Sequence, residues 1–176
     1  MMGDMTESER DWDLVLPESL LQFPSFVLFE LVRAARRIGD RVHRDDLRMP
    51  HVTVLASLEW FGPAAQKDIS RRLRIDASDL VSVLDDLEER GLVERRRDER
   101  DRRRSLVTVT TDGARALHSR LVTAQKLNDA LLAPLSKAER DRLHEMLVRI
   151  YQHHDPHRVP AEFLSRVQAL SKAKLL

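Results

Sequence analysis

The periodicity of the chain changes abruptly at Gly91. Before it, residues 76–90 (DASDLVSVLDDLEER) carry Leu80, Leu84 and Leu87 at helical spacing. Asp76 stands in front of them, a residue type that accepts hydrogen bonds from the free amides of a helix start. Gly91 suits the left-handed residue that closes a helix. After it, residues 92–97 and 105–110 read as two strands, the second rich in β-branched residues. The segment joining them, residues 98–104, is short enough for a hairpin tip and almost wholly charged. A helix followed at once by an arginine-crowded hairpin is a projecting device, and the rest of the chain has to hold it in place.

Upstream, residues 1–17 are acidic and weakly patterned, which predicts a flexible extension. Pro24 opens a helix over residues 24–44, with Leu28, Leu31, Val32, Ala35, Ile38 and Val42 along one face. Pro50, well suited to a first helical turn, begins another that runs to about Trp60 and stops at Gly62-Pro63. A third short helix over residues 65–73 buries Ile69 and Leu73 and offers Gln66, Lys67, Arg71 and Arg72 outward. Downstream, residues 112–132 carry an apolar stripe through Leu117, Leu121 and Leu127. Ser136 and Glu139 form a capping box for a helix reaching about His153. A last, weaker amphipathic helix is predicted over residues 161–173.

Helix, short turn, helix, hairpin is the order of a winged helix-turn-helix. The predicted class is mainly α: one winged domain over residues 18–155 with a two-stranded β wing and N- and C-terminal dimerisation helices, 24–44 and 112–153. The DNA-binding core is residues 51–113, and residues 156–176 form a C-terminal helical extension. With Leu80, Leu84 and Leu87 inside, the helical angle puts Ser78, Ser82, Asp85 and Asp86 outside and Asp79 at the margin. Such a helix can lie in a major groove, and arginines on a projecting hairpin can reach phosphates or a narrow minor groove.

Composition restrains this reading. The net charge is only +1, so bulk charge does not announce a partner. The alternative for residues 95–104 is a solvated, charge-paired surface, because Asp98, Glu99 and Asp101 neutralise part of the arginine cluster. There is no cysteine, which excludes thiol redox sensing, disulfides and thiolate metal sites. No apolar run approaches a membrane span, so the chain is expected in the cytoplasm. No phosphate loop, nucleophile elbow, dinucleotide motif or His-Glu-x-x-His occurs, so an enzyme and a cofactor are not expected. His144-Glu145 is taken as surface, and His153, His154 and His157 as a solvated cluster rather than a metal site.

The stretch GLVERRRDERDRRRSLVTVTTDG resembles the wing signature of MarR-family transcriptional regulators: Gly-Leu-Val-Glu-Arg, then Asp-x-Arg at the tip, then a strand ending near Thr and Gly. The resemblance extends over residues 24–155 in helix order. It implies a homodimer whose outer helices interlock and whose two winged domains straddle a palindromic stretch of double-stranded DNA. It places the wing Asp-x-Arg on Asp101 and Arg103, with Asp101 orienting the Arg103 guanidinium into the minor groove. Arg95 is then expected at the DNA backbone, with Arg100, Arg102 and Arg104 as phosphate contacts. The recognition helix departs from the family pattern, which often has a base where this chain has Ser82 and Asp86. Ser78 and Ser82 can donate or accept, and Asp79 can accept from a cytosine amino group or pair with a neighbouring arginine.

The family's second site, for a small-molecule effector, falls where dimer helices meet the winged domain. Phe29, Arg33, His51 and Trp60 are the polar and aromatic candidates there, with ordinary core or interhelical packing as the alternative for each. The expected function is a sequence-specific regulator, a repressor, acting as a homodimer and released by an effector. The competing class is a winged-helix protein-interaction dimer without specific DNA binding, for which the acidic recognition helix is the motive.

Overall fold

The computed structural model describes residues 15–42, 47–97, 105–160, 162, 163, 165 and 167. In chain order the elements are α1 (Glu18–Leu21), α2 (Pro24–Val42), α3 (Met49–Phe61), α4 (Gln66–Leu73), α5 (Ala77–Glu89), β1 (Val93–Arg97), β2 (Ser105–Val109), α6 (Thr111–Leu131) and α7 (Lys137–His154). The fold is the mainly helical winged helix-turn-helix that the periodicities predict. One short turn of helix, α1, was not foreseen, because four residues are too few to carry a period. Residues 43–46, the end of the predicted first helix, lie outside the described residues, as do most of residues 161–173.

The core is built around α3. Its Val54, Leu55 and Leu58 are at most 2% exposed, and it packs against α4, α5, α6 and β2. Ile69 of α4, Leu80, Leu84 and Leu87 of α5, Val93 of β1, Val107 of β2 and Leu117 of α6 join it, with Leu47 just before α3 and Ala64 just after it. On α5 the buried leucines follow one another at three- and four-residue spacing, so that helix contributes one face.

Between α4 and α5 the chain turns at Arg74, which takes a left-handed φ of 54°. A non-glycine residue there costs roughly 1 kcal/mol. Its guanidinium is held outside the turn by both carboxylate oxygens of Asp155, at 2.7 and 3.3 Å. Arg158 donates to the Arg72 carbonyl at 3.2 Å. The segment just past α7 is thereby attached to the turn of the helix-turn-helix.

Helix α5 ends in a double-bonded glycine cap. The Gly91 N–H donates to the Glu88 carbonyl and the Leu92 N–H to the Leu87 carbonyl, with Gly91 at φ 68°. The chain enters β1 and returns on β2 in antiparallel register, Val93 opposite Val109 and Arg95 opposite Val107. Ala64 adds a one-residue bridge to Val107, bonded in both directions, which fixes the hairpin to the start of α4.

A single hydroxyl joins the hairpin exit to α6. Thr110 Oγ1 accepts from the Gly113 N–H at 3.0 Å as the helix cap and donates to the Gly91 carbonyl at 2.7 Å. Gly113 is required by space. A Cβ there would lie 2.0 Å from the Leu92 carbonyl oxygen.

Helices α2, α6 and α7 are much less covered. Phe23, Phe29 and Val32 near one end, Leu121 and Val122 on α6, and Ile150 and Tyr151 on α7 are each about half exposed. Helix α7 begins at the predicted capping box, the Ser136 hydroxyl and Glu139 carboxylate satisfying each other's amides. It buries no apolar side chain, and its one buried residue is Glu145, paired with Arg142 at 2.7 Å. Glu145 is therefore not the surface residue expected, while its neighbour His144 is exposed against the edge of Phe163.

Candidate nucleic-acid interface

Helix α5 has two sides of opposite character. Leu80, Leu84 and Leu87 are fully buried, while Ser78, Asp79, Ser82 and Asp85 are exposed. Asp76 caps it, accepting from the Ser78 N–H at 2.8 Å and the Ser78 hydroxyl at 2.6 Å. Those bonds hold the Asp76 carboxyl below the usual carboxylate range. The Ser78 hydroxyl therefore gives its proton inward and keeps its lone pairs outward.

The acids of α5 are largely engaged within the protein. Arg95 on β1 donates to Asp85 at 2.6 Å and also bonds Glu88. The hydrogen bond that Arg95 gives to Asp85, with Glu88 nearby, raises the Arg95 pKa and keeps it charged, against a smaller opposing effect of burial. In the free chain Arg95, expected at the DNA backbone, is turned toward α5 instead. Strand alternation explains it: Arg95 is two residues beyond buried Val93 and shares its face, which packs on α5. Arg96, on the opposite face, pairs with Glu94 at 2.6 Å.

Asp86 was expected outside but is half buried. It accepts from Arg90 Nε at 2.9 Å, and its other oxygen lies 2.9 Å from Nε2 of His51. His51 is 2% exposed, and its Nδ1 accepts the Arg48 backbone N–H at 3.0 Å. Nδ1 is thus the acceptor and Nε2 carries the proton. Burial lowers the His51 pKa below 6.5; Asp86 opposes this, while Arg48 and Arg90 add to it.

At the start of α4, Gln66 is half exposed and Lys67 exposed, beside an N-cap, Ala65, that has no side chain to satisfy the first amides. Arg71 is exposed and pairs with Asp68 at 3.1 Å. Arg72 departs from the outward placement expected. Its guanidinium lies 4.3 Å from the Phe61 ring centroid and donates to the Ser57 hydroxyl at 3.2 Å. Gln66, Lys67, Ser78, Asp79 and Ser82 remain available to a ligand. Arg100, Asp101, Arg102, Arg103 and Arg104 lie outside the described residues.

The four effector candidates do not converge. Arg33 sits 5.9 Å from the Phe29 ring centroid on α2, with both side chains exposed. His51 is closed into the first turn of α3, and Trp60, 75% exposed, is at the other end of that helix. A concavity of about 220 Å³ is lined by Arg48, Pro50, His51, Asp79, Ser82 and Val83. A larger one, about 740 Å³, lies between α6 and α7 over Leu131, Leu135, Leu143 and Leu147, with Arg140 at its edge. Phe29, Arg33 and Trp60 line neither. Among the described residues, no group of three or more histidines and acids is placed to hold a metal, and Asp155 of the histidine cluster is bound by Arg74. No described helix is long and apolar enough to cross a membrane.

A buried-backed helix with a polar face, a hairpin braced to it and a short turn before it define a DNA-binding transcriptional regulator of the winged-helix class. The family model described as MarR family matches residues 45–104. YdgJ of Bacillus subtilis (strain 168), an uncharacterized HTH-type transcriptional regulator, is 31% identical over 125 residues, which is 70% of this chain and 76% of YdgJ. A probable transcriptional regulator from Pseudomonas aeruginosa superimposes with a TM-score of 0.61 at 30% identity, over 72% of this chain and 95% of that one. PcaV of Streptomyces coelicolor, a transcriptional regulator solved in complex with its natural ligand, gives a TM-score of 0.63 at 25% identity, over 80% of this chain and 100% of PcaV. The chain belongs to the MarR family.

Proposed function

We propose that the chain is a sequence-specific repressor that binds a palindromic operator as a homodimer in the cytoplasm and is released by a small molecule. The observation that carries this is the exposed face of α5, Ser78, Asp79 and Ser82, held beside a braced hairpin while the opposite face is fully buried. Two further observations support it. The apolar faces of α2, α6 and α7 are uncovered in a single chain, as expected of surfaces that meet a second copy. PcaV, similar over its whole length, was solved with a natural ligand.

In this reading residues 18–155 form the winged domain and its dimer helices, and catalysis has no part. Lys67 and Gln66 approach phosphates from the start of α4. Asp101 and Arg103 work at the wing tip, with Arg100, Arg102 and Arg104 as phosphate contacts. A small molecule seated between arm and winged domain changes the spacing of the two domains and favours a form that does not fit the operator. Neither concavity contains the four residues first considered for this, and only His51 borders one of them.

Selection from random duplexes at fixed salt tests the reading. The expected result is an enriched palindrome whose half-site centres are about 10 base pairs apart. Binding that depends on salt but enriches nothing would make the protein an architectural binder. No binding at all would leave a protein-interaction dimer.

A further inference from the structure

We infer that Asp79 selects the sequence, by requiring a cytosine amino group at one fixed position of each half-site. The inference rests on the DNA-binding reading above and gives it a base.

The acidity of α5 looks unsuited to a polyanion, but the structure removes most of it. Asp85 and Glu88 are bound by Arg95, and Asp86 is bound by Arg90 and faces His51. Asp76 is the helix cap. Two carboxylates of the helix remain without a recorded ion pair among the described residues, Asp79 in the first turn and Glu89 at the far end. Asp79 is exposed on the same side as Ser78 and Ser82, at the end of the helix that enters a groove first.

Its neighbours favour close approach. Serines on either side are small, so the helix can seat deeply enough for a side chain as short as aspartate to touch a base edge. The Ser78 hydroxyl proton is committed to Asp76, so Ser78 offers only lone pairs outward. The reading surface is therefore rich in acceptors at this point.

An acceptor surface discriminates strongly in the major groove. Guanine shows two acceptors, and thymine one acceptor and a methyl group, so both repel a carboxylate. Adenine has an amino donor, but its N7 acceptor lies beside it. Cytosine offers an amino donor with no acceptor of its own next to it. A bare carboxylate also weakens binding to phosphate wherever no donor meets it. Asp79 thus lowers affinity for most sequences and spares those with cytosine in place, which is specificity by exclusion. The alternative role for Asp79 is favourable interaction with the amide end of the helix. That role would affect every DNA sequence equally.

The test is a selection from random duplexes with the full chain and with Asp79→Ala and Asp79→Asn, at one salt concentration, with helicity of each variant checked by circular dichroism. The unaltered chain is expected to enrich cytosine at one position per half-site, over other bases by about 5- to 150-fold. Asp79→Ala should lose the preference at that position alone and bind unselected duplexes more tightly. Asp79→Asn should move the preference toward adenine, which an amide contacts with both a donor and an acceptor. A cytosine preference that survives in both variants, an operator without that cytosine, or an equal loss of affinity for all sequences would overturn the role of Asp79 and leave the regulator reading intact. Failure of the unaltered chain to enrich any sequence would instead overturn the regulator reading itself.

Discussion

Arg95 of the first wing strand and Asp85 of the recognition helix are joined by a 2.6 Å hydrogen-bonded ion pair, and Glu88 completes the clamp on the same guanidinium. The pair ties the helix to the hairpin. It also hides a positive charge from DNA and two negative charges with it, so the reading head is closer to neutral than its residues suggest.

Releasing that arginine should change how binding responds to salt. In the double variant Asp85→Asn with Glu88→Gln, Arg95 becomes free to meet a phosphate. The slope of log affinity against log salt should steepen by about 1. Titrations at four or five salt concentrations measure it, and an unchanged slope would mean that Arg95 stays out of reach of the backbone.

Charges placed on the uncovered arm test the proposed homodimer, and should separate its two chains without unfolding them. Leu121 is 52% exposed and Leu147 37% exposed in the single chain, and neither belongs to the buried cluster of the winged domain. Leu121→Asp combined with Leu147→Asp is expected to give a helical monomer by sedimentation and circular dichroism. A dimer of undiminished stability would remove these faces from the interface.

The buried imidazole sets a dependence of stability on pH. The folded-state pKa of His51 is lowered, mainly by burial, so below about 6.5 the unfolded chain binds a proton that the folded chain refuses. Stability contributed by the neutral ring is complete above that value and declines as pH falls through it, by at most about 1.4 kcal/mol per pH unit. Urea midpoints at pH 7.5, 6.5 and 5.5 should fall in that order. The variant His51→Gln should show a shallower trend, and an identical trend in both would assign the effect elsewhere.

A methyl group at residue 113 should be badly tolerated. The Cβ of Gly113→Ala would overlap the Leu92 carbonyl oxygen, which itself accepts the Thr110 N–H. Overpacking of this kind costs about 3 kcal/mol, or roughly 6–12 °C in melting temperature for a chain of this size. A melting curve within a degree or two of the unaltered protein would mean that the junction shifts freely.

The order of elements was legible because each carries its own signal. The three leucines of α5 repeat at helical spacing, Gly91 punctuates, and the second strand is β-branched. The orientation of Arg95 was open to the same logic, since alternation from Val93 aims it at α5, but its partners lie on another element and periodicity does not pair elements. The Asp86–His51 contact was legible only in part: core or interhelical packing was the alternative reading of His51, and its burial agrees with that, but periodicity does not show that its partner is Asp86 on a helix that begins at Ala77. Arg72 was misjudged because a guanidinium can lie flat on an aromatic ring and count as both packing and charge. The acidity of the recognition helix could be counted from sequence, while its neutralisation required knowing which arginines sit across from it.

The attachment of Arg74 to Asp155 gives the molecule a weak latch. Its two ends are the turn that aims the reading helix and the tail of the arm. Its guanidinium is 63% exposed, so such a contact is worth at most about 1 kcal/mol. Energy of that size changes a two-state ratio about fivefold. A contact of that size fastens the arm to the turn and yields to a modest push.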